Sequence, residues 1–294
     1  MYNVCEWKWV IMNYKDIENS IIKKFRKTIW VRFVRAINEY NLIEPNDKIM
    51  VCISGGKDSM LLAKCFEELR RHGKFDFEVS YVVMNPGYKQ ENLDLLKENL
   101  EKLNIKAEIF NSDIFQVVEK IAQSEPCYMC ARMRRGVLYN KAQELGCNKI
   151  ALGHHFDDVI ETIMLNVLYA GEYKTMMPKL KSVNFPGLEL IRPFYYVHEE
   201  DIKAWSKHCD LRFLNCACSV TDGTVVHESK RQEIKELIKE LRKVNKNVDI
   251  NILRSSENVN LDSILGYKKN GEKHLFLEDY SGEKNDLKKI CQRC

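Results

Sequence analysis

Residues 54–59 read SGGKDS and directly follow an apolar run, 48–53 (KIMVCI). Two adjacent glycines let a chain turn sharply and bring its backbone N–H groups close to an anion. The next residues, 59–70, place apolar side chains at helical spacing, and a helix N-terminus adds partial positive charge at the same point. The order of strand, glycine turn and helix predicts a nucleotide phosphate site rather than an ordinary corner of the chain. Its candidate phosphate-binding residues are Ser54, Gly55, Gly56, Lys57 and Ser59.

This loop is not a Walker A motif, because no GxxxxGK[ST] string is present. It resembles instead the PP-loop of the N-type ATP pyrophosphatases, which adenylate a carbonyl-type oxygen and release pyrophosphate. The resemblance implies that ATP is split between its α and β phosphates, with Lys57 acting on the phosphate charge. Asp58 would then help to hold Mg²⁺, a hard cation that prefers carboxylate and phosphate oxygens.

Cysteines form a second group of residues that could do chemistry. Cys127 and Cys130 make a CxxC at the predicted start of a helix, and Cys216 and Cys218 make a later pair. A helix N-terminus lowers thiol pKa values, and CxxC presents two sulfurs to one metal or to each other. The residues leave three hypotheses open: a structural zinc site, a persulfide or disulfide relay, and an iron–sulfur cluster. Arginines follow the CxxC, as expected of a site that handles phosphate or RNA: Arg132, Arg134 and Arg135.

The third group is the string GHHFDD at residues 153–158. A histidine pair with nearby acids is compatible with a metal site. Its position, at the end of a predicted strand and the start of a helix, fits a nucleotide-binding turn better, with Asp157 or Asp158 assisting metal binding or acid–base chemistry. The candidate nucleotide-binding residues here are Gly153, His154 and Asp158, joined by Met84 and Asn85 from the loop after the second predicted strand, near which we expect the adenine.

Strands and helices alternate from residue 45 onward. The predicted strands are 48–53, 77–84, 106–110 and 148–153, and the predicted helices lie near 59–72, 90–103, 131–145 and 155–170. Strands rich in valine and isoleucine that alternate with helices predict an α/β fold with a doubly wound parallel sheet. Ligands of such sheets bind at the carboxyl ends of the strands, which is where the two loops and the Asn85 turn all lie.

The chain divides into three predicted segments: a basic, helical N-terminal segment 1–44, a catalytic domain 45–224, and a C-terminal helix and tail 225–294. Ile21–Ile37 has the pattern of one amphipathic helix, whose apolar stripe packs on the main domain or whose basic face contacts RNA or a membrane surface. Residues 1–40 carry eight Lys and Arg against four acids, in a chain of net charge +4. A basic end on a neutral body suits a polyanionic partner.

Composition narrows the class of protein. The chain has 294 residues, 45% of them apolar, and it contains no run close to the roughly 20 apolar residues that span a membrane. Eleven cysteines without an export signal indicate metal-binding or catalytic thiols in a reducing cytoplasm. Three other cysteines fall on predicted buried elements and are expected in the core: Cys52, Cys65 and Cys147.

Taken together, SGGKDS, CYMCARMRRGVLY, ALGHHFDDVIETIMLNVLYAG, KTMMPKL, IRP and the late cysteines resemble the TtcA family, from about residue 30 to residue 220. Members are ATP-dependent tRNA 2-thiocytidine synthetases of the PP-loop class. The resemblance implies a [4Fe–4S] cluster held by Cys127, Cys130 and one later cysteine, with one iron lacking a protein ligand. We expect Cys216 as the third ligand. This chain has CxC where the family often has CxxC, which makes Cys218 its rival and leaves open a cluster ligated by all four cysteines.

The same resemblance implies the partners and the reaction. Lys174 and Lys179 would lie on a surface for tRNA, together with the arginines after the CxxC. The expected reaction adenylates the C2 oxygen of a pyrimidine, an anticodon-loop cytidine by resemblance, and sulfur then displaces AMP. A cysteine desulfurase or sulfide would supply the sulfur, as hydrosulfide on the open iron. A homodimer is the assembly that the class suggests.

Alternatives remain open at this point. A 2-thiouridine synthetase would keep the same motifs. A persulfide relay would use Cys130 or Cys216 as the attacking thiol and the other to resolve a disulfide. C–N ligation, as in PP-loop amide or lysidine synthetases, is another enzymatic alternative, but it would not use the two cysteine pairs. A non-catalytic iron–sulfur protein that binds nucleotide and RNA belongs to a different class, and pyrophosphate release without a thiolated product would leave it open.

Overall fold

A six-stranded sheet forms the centre of the first part of the chain. The computed structural model describes residues 12–73, 75–115, 117, 126–214 and 230–280. The strands are β1 (Lys48–Ile53), β2 (Glu78–Asn85), β3 (Ala107–Asn111), β4 (Lys149–Ala151), β5 (Lys179–Lys181) and β6 (Glu189–Ile191). Their order is β3-β2-β1-β4-β6-β5, and every neighbouring pair is parallel except β5 with β6. The order reverses between β1 and β4, so a ligand crevice is expected at the carboxyl ends of these two strands.

Helices connect the strands and cover the sheet. They are α1 (Tyr14–Ile22), α2 (Val31–Glu39), α3 (Lys57–His72), α4 (Gln90–Lys102), α5 (Pro126–Glu144), α6 (Phe156–Leu165), α7 (Glu199–His208) and α8 (Lys230–Val244). Apolar residues of β1, β4 and β6 pack against Tyr139 and Ala142 of α5 in one core cluster. The predicted α/β fold is confirmed, and the four predicted strands are observed with shifts of one or two residues. The short strands β5 and β6 and helix α7 were not predicted.

The N-terminal segment differs from its prediction. Ile21–Ile37 does not form one helix, because a π-helical turn, Arg26–Trp30, separates α1 from α2. Its wider hydrogen-bonding ring is visible where the N–H of Trp30 bonds the carbonyl of Phe25 at 3.4 Å and the N–H of Val31 bonds the carbonyl of Arg26. The apolar stripe is buried as expected of packing on the main domain: Ile21, Phe25, Ile29, Phe33 and Ile37. The π turn therefore interrupts the helix without exposing the apolar stripe.

The chain separates into two compact units, residues 1–237 and 238–294. Within the second unit the structure has α9 (Val248–Glu257), a 3₁₀ turn (Leu261–Ser263), an antiparallel hairpin of β7 (Gly266–Lys269) and β8 (Glu272–Leu275), and α10 (Phe276–Tyr280). The predicted helix 228–244 corresponds to α8, which crosses the boundary between the units. Among the described residues no helix has the length and apolar character needed to cross a bilayer.

Candidate active site

The SGGKDS loop joins β1 to α3 and is braced from within. Gly55 has φ +84°, a conformation that favours glycine, and an added Cβ would lie 2.6 Å from Leu214 Cδ1. The hydroxyl of Ser59 accepts the N–H of Ser54 at 3.1 Å and donates to the carbonyl of Gly56 at 3.0 Å. Ser59 is buried, and these two hydrogen bonds hold the turn together. The turn therefore leads directly into the N-terminus of α3, which begins at Lys57.

The GHHFDD loop leaves β4 beside this turn. A Cβ added to Gly153 would lie 3.1 Å from backbone atoms of both Asp58 and Ser59, so only glycine allows the two loops to approach so closely. The side chain of Asp158 accepts the N–H of His155 at 2.9 Å, which fixes the first turn of α6. Two loops that are distant in sequence thus meet at the carboxyl ends of β1 and β4, as the sequence predicted.

A cavity of about 510 Å³ opens at this meeting point. It is lined by residues of both loops, of β2, of α5 and of the segment after β6, among them Ser54, Asp58, Met84, Arg134, His154 and Asp158. Arg135 and Arg192 also line it. Buried polar atoms without a hydrogen-bond partner include Asp58 Oδ1, His154 Nδ1, Arg134 Nε and Arg192 Nε. Buried polar groups normally have partners, so this lining fits a polar, anionic ligand such as a nucleotide phosphate with its cation.

Burial changes the protonation of two residues of the cavity. It lowers the pKa of His154 to about 4, against the opposing effect of Asp158, so this imidazole is neutral at physiological pH. Burial also lowers the pKa of Arg192 to about 10, which still leaves the guanidinium charged. The cavity therefore presents a neutral imidazole beside cationic guanidinium groups.

Lys57 does not line the cavity but lies at the edge of the loop between two carboxylates. Its Nζ is 3.2 Å from Asp58 Oδ2 and 3.2 Å from Glu199 Oε1. Burial acts to lower the pKa of Lys57, but the charges of Asp58 and Glu199 outweigh it and raise the pKa. Sequence reasoning missed Glu199, the first residue of α7, because nothing near it in the sequence marks it as more than an acidic helix start.

The two adjacent aspartates of α6 have different surroundings. Asp157 is 7% exposed, and its Oδ2 accepts the N-terminal N–H of α7, that of Glu199, at 2.8 Å. Asp158 faces the cavity, and its Oδ1 is bonded by Arg231 of α8. Arg231 also donates to the buried Glu161 at 2.9 Å. Of the two aspartates, Asp158 is thus the one that lines the cavity. Its contact with Arg231, like the contact of Lys57 with Glu199, was not predicted from the sequence.

The cysteine pairs are only partly covered by the structure. Cys127 and Cys130 lie in the first turns of α5, and Cys130 is half-buried beside the small apolar cluster of Met84 and Ile114. One turn further along α5, Arg134 lines the cavity, with its guanidinium 5.2 Å from the centre of the Phe115 ring. Cys216 and Cys218 lie outside the described residues, as do Cys291 and Cys294, which form another CxxC in the sequence. A CxxC at the start of a helix that lines the cavity supplies the ligand type that holds iron–sulfur clusters, which is cysteine thiolate.

Some of the remaining predicted residues are exposed, and others make contacts within the protein. Arg132 and Lys174 are exposed and available to an external partner. Lys179 instead donates to the carbonyl of Asn41 at 3.0 Å and lies 3.3 Å from Glu189. The side chain of Asn85 accepts the N–H of Gly87 at 3.1 Å, so it shapes the turn after β2. Cys52, Cys65 and Cys147 are buried as predicted.

Known proteins of similar sequence show the family of this chain. A family model described as a PP-loop domain matches residues 26–238. A tRNA-cytidine(32) 2-sulfurtransferase of Geotalea uraniireducens (strain Rf4) is 39% identical over 231 residues, which are 78% of this chain and 90% of the relative. The chain belongs to the tRNA-cytidine(32) 2-sulfurtransferase family of PP-loop proteins. A second member of this sulfurtransferase family, from Coxiella burnetii (strain CbuG_Q212), is 34% identical over 87% of this chain and 96% of its own.

A solved structure supports the fold of this sulfurtransferase family member. The U34-tRNA thiolase NcsA from Methanococcus maripaludis, determined with its [4Fe–4S] cluster, superposes with a TM-score of 0.63 at 23% identity. The match covers 86% of this chain and 82% of the thiolase. The likeness extends well beyond the loop around residues 54–59, so the whole α/β arrangement of the PP-loop class is present.

Proposed function

We propose that this chain is an ATP-dependent tRNA sulfurtransferase that replaces the C2 oxygen of a cytidine with sulfur. The observation that carries the proposal is the convergence of three groups of residues on one cavity: the loop 54–59, the loop 153–158 and the helix that begins with the CxxC. Curated relatives named for this activity at position 32 of tRNA support the choice of cytidine over uridine.

ATP binding is assigned to the loop residues. Backbone N–H groups of Gly55 and Gly56 and the N-terminus of α3 receive the phosphates, with the hydroxyl of Ser54 beside them. Lys57 offsets the negative charge that develops on the phosphates, and a bound Mg²⁺ ion would supply further positive charge there. Asp58 and Asp158 would hold that ion, since both line the cavity and Oδ1 of Asp58 has no hydrogen-bond partner.

The reaction proceeds in two displacements. The C2 oxygen of the cytidine attacks the α-phosphorus, the bond from that phosphorus to the bridging oxygen breaks, and pyrophosphate leaves. Sulfur at the oxidation level of hydrosulfide then attacks C2 and gives up its proton, and the C–O bond breaks, so AMP leaves with the former base oxygen. Arg134 and Arg135 line the cavity in which the cytidine and the phosphates of ATP would lie. The neutral His154, also in the lining, contributes a hydrogen-bonding nitrogen without added charge. The base must be unstacked from its loop to enter.

Sulfur delivery is assigned to the cysteines. A [4Fe–4S] cluster held by Cys127, Cys130 and Cys216, with Cys218 as the alternative ligand, would carry the sulfur atom to the activated carbon. The donor that loads it is of the cysteine desulfurase or sulfide type. We further propose that the protein works in the cytoplasm and as a homodimer.

The first experiment measures the reaction anaerobically with tRNA transcript, ATP, Mg²⁺ and sulfide. The expected products are AMP and pyrophosphate in equal amounts and 2-thiocytidine, identified by mass spectrometry of the digested tRNA. Formation of 2-thiouridine would assign the chain to the alternative base, and absence of ATP turnover with any tRNA would overturn the proposal.

Iron and sulfide content test the cluster assignment. About four irons per chain are expected in the wild type, and Cys127→Ala and Cys216→Ala are expected to lose them. Cys209→Ala is the matched control, because Cys209 is buried next to Ser20, away from the cavity. One zinc and no sulfide would contradict the cluster, and activity that survives loss of iron would favour the persulfide relay through Cys130.

The assignment of Asp158 is tested against its neighbour. Asp158→Asn is expected to abolish ATP turnover. Asp157→Asn is expected to weaken the cap of α7 and lower the free energy of unfolding by about 1 kcal/mol while turnover persists. The opposite pattern would move the metal-binding role to Asp157.

A further inference from the structure

Glu199 is bound by three lysines from three helices. The carboxylate is 14% exposed, and its Oε1 lies 3.2 Å from Lys57 of α3. Its Oε2 lies 2.9 Å from Lys203 of α7 and 3.2 Å from Lys235 of α8. Removing a carboxylate from water costs free energy, which is offset only when its charged partners are well placed. An arrangement of this kind therefore points to a role in positioning. Only one of these three contacts reaches the predicted ATP loop.

The backbone of Glu199 is fixed as firmly as its side chain. Its N–H donates to Asp157 Oδ2 at 2.8 Å, and the preceding His198 ring lies 4.3 Å from the ring of Phe156. The N–H of Phe156 donates to the carbonyl of Val197 at 2.9 Å. These contacts tie the start of α7 to the start of α6, so Glu199 occupies a constant position relative to the loop 153–158.

Lys57 gains a defined direction from this arrangement. An ammonium group has three N–H donors, and Asp58 and Glu199 take two of them. The third remains for a phosphate oxygen at the neighbouring glycine turn. Asp58 is the proposed Mg²⁺ ligand, so Glu199 is the carboxylate that can stay on Lys57 when the ion and nucleotide are bound. Lys203 and Lys235 balance its charge, which limits repulsion of the phosphates.

We propose that Glu199 is a positioning residue for ATP activation, which holds the ammonium group of Lys57 at the edge of the loop 54–59. The proposal rests on the proposed function only in that Lys57 acts on ATP. Glu199 contacts no reacting atom and acts through Lys57. Lys235 and Lys203 are its supports, and Asp157 orients it through the backbone.

Glu199 stays charged in this arrangement. Burial acts to raise the pKa of Glu199, but the three lysines overcome it and lower the pKa to about 2. Its carboxylate therefore remains an acceptor for the ammonium group of Lys57.

The test compares Glu199→Gln with the wild type by ATP kinetics and by ATP binding in calorimetry. We expect kcat/KM for ATP to fall about tenfold, the size of one charged hydrogen bond, while KM for tRNA stays within twofold. Lys207→Gln is the matched control, because Lys207 is an exposed lysine of the same helix, two turns beyond Glu199, so its values should stay within twofold of the wild type.

Glu199→Asp provides a second test that does not depend on the glutamine variant folding. It keeps the charge but shortens the reach, so kcat/KM for ATP is expected to fall while KM for tRNA stays within twofold. An unchanged kcat/KM for ATP in Glu199→Gln would overturn the proposal, as would an unchanged kcat/KM for ATP in Glu199→Asp. ATP binding can be measured without a thiolated product, so failure of the proposed base specificity is distinguishable from failure of this role.

Discussion

Gly153→Ala is expected to damage the ATP site through one added methyl group. The new Cβ would lie 3.1 Å from Asp58 C and Ser59 N and 3.3 Å from Asp58 O. Carbon atoms in contact prefer about 3.5–4.0 Å, so the two loops must separate by roughly half an ångström. The atoms that block the methyl group are backbone atoms of the first turn of α3, and Ser59 holds that turn to Ser54. They cannot swing aside as a flexible side chain could.

Two magnitudes follow from this contact. Overpacking of this kind lowers the free energy of unfolding by about 1–3 kcal/mol. A displacement of about 1 Å in a catalytic site costs about a hundredfold in rate, so half of that shift is expected to cost about tenfold in kcat/KM for ATP. Urea unfolding measures the first quantity, and initial rates of pyrophosphate release at varied ATP measure the second.

Gly136→Ala is the matched control for Gly153→Ala. Gly136 lies inside α5, and a Cβ added there would meet no heavy atom within 4 Å. Alanine is the better helix former, so this variant is expected to gain about 0.5–1 kcal/mol in stability and to retain activity. If Gly153→Ala is as stable and as active as the wild type, the close approach of the two loops does not constrain the site and the reasoning fails.

Three further predictions concern buried charge. Lys64 is fully buried and donates to Glu18 at 2.5 Å, so Lys64→Met is expected to lower the free energy of unfolding by about 3–5 kcal/mol in urea titrations, and Glu18→Gln in the same chain should restore part of it. Burial acts to raise the pKa of Glu199, but lysines lower it from 4.5 to about 2. The charged carboxylate therefore stabilises the folded state above pH 4.5, and this contribution, at most about 3 kcal/mol, is lost as the pH falls toward 2. Thermal unfolding between pH 6 and 2 on wild type and Glu199→Gln measures that loss, and parallel curves would contradict it. His154, with its pKa near 4, should show an NMR chemical shift that is constant from pH 6 to 8.

The two nucleotide loops were predictable because their signals are local. A buried strand, a glycine turn and the start of a helix follow one another along the chain at 48–59 and again at 149–158, and each needs only short-range information. Once the strands are recognised as parallel, their carboxyl ends must lie at one edge of the sheet. The sheet itself was predictable for the same reason, except for β5 and β6. β4 is equally short, but the GHHFDD loop that follows it marks its position, and no such motif follows β5 or β6.

The carboxylate and cation contacts around those loops were not predictable from one sequence. Glu199 reads as an ordinary acidic residue at a helix start, and Arg231 as one charge among many on a polar helix. Their partners lie far away in the chain: Lys57 for Glu199, and Asp158 for Arg231. Asp157 and Asp158 likewise look equivalent in sequence. Successive helix positions point about 100° apart, so only the placement of α7 decides which aspartate faces the cavity.

Two contacts join the predicted nucleotide loops to segments on either side of residues 215–229 in the sequence, which contain Cys216 and Cys218 and lie outside the described residues. The N–H of Leu214 donates to the carbonyl of Gly55 at 3.3 Å. Arg231 of α8 is bonded to Asp158. Each predicted nucleotide loop therefore has a direct contact with a segment that leads, in sequence, to or from the predicted cluster ligands. A change in either loop is expected to act on one of these contacts, which supports our proposal that adenylation and sulfur delivery use one site.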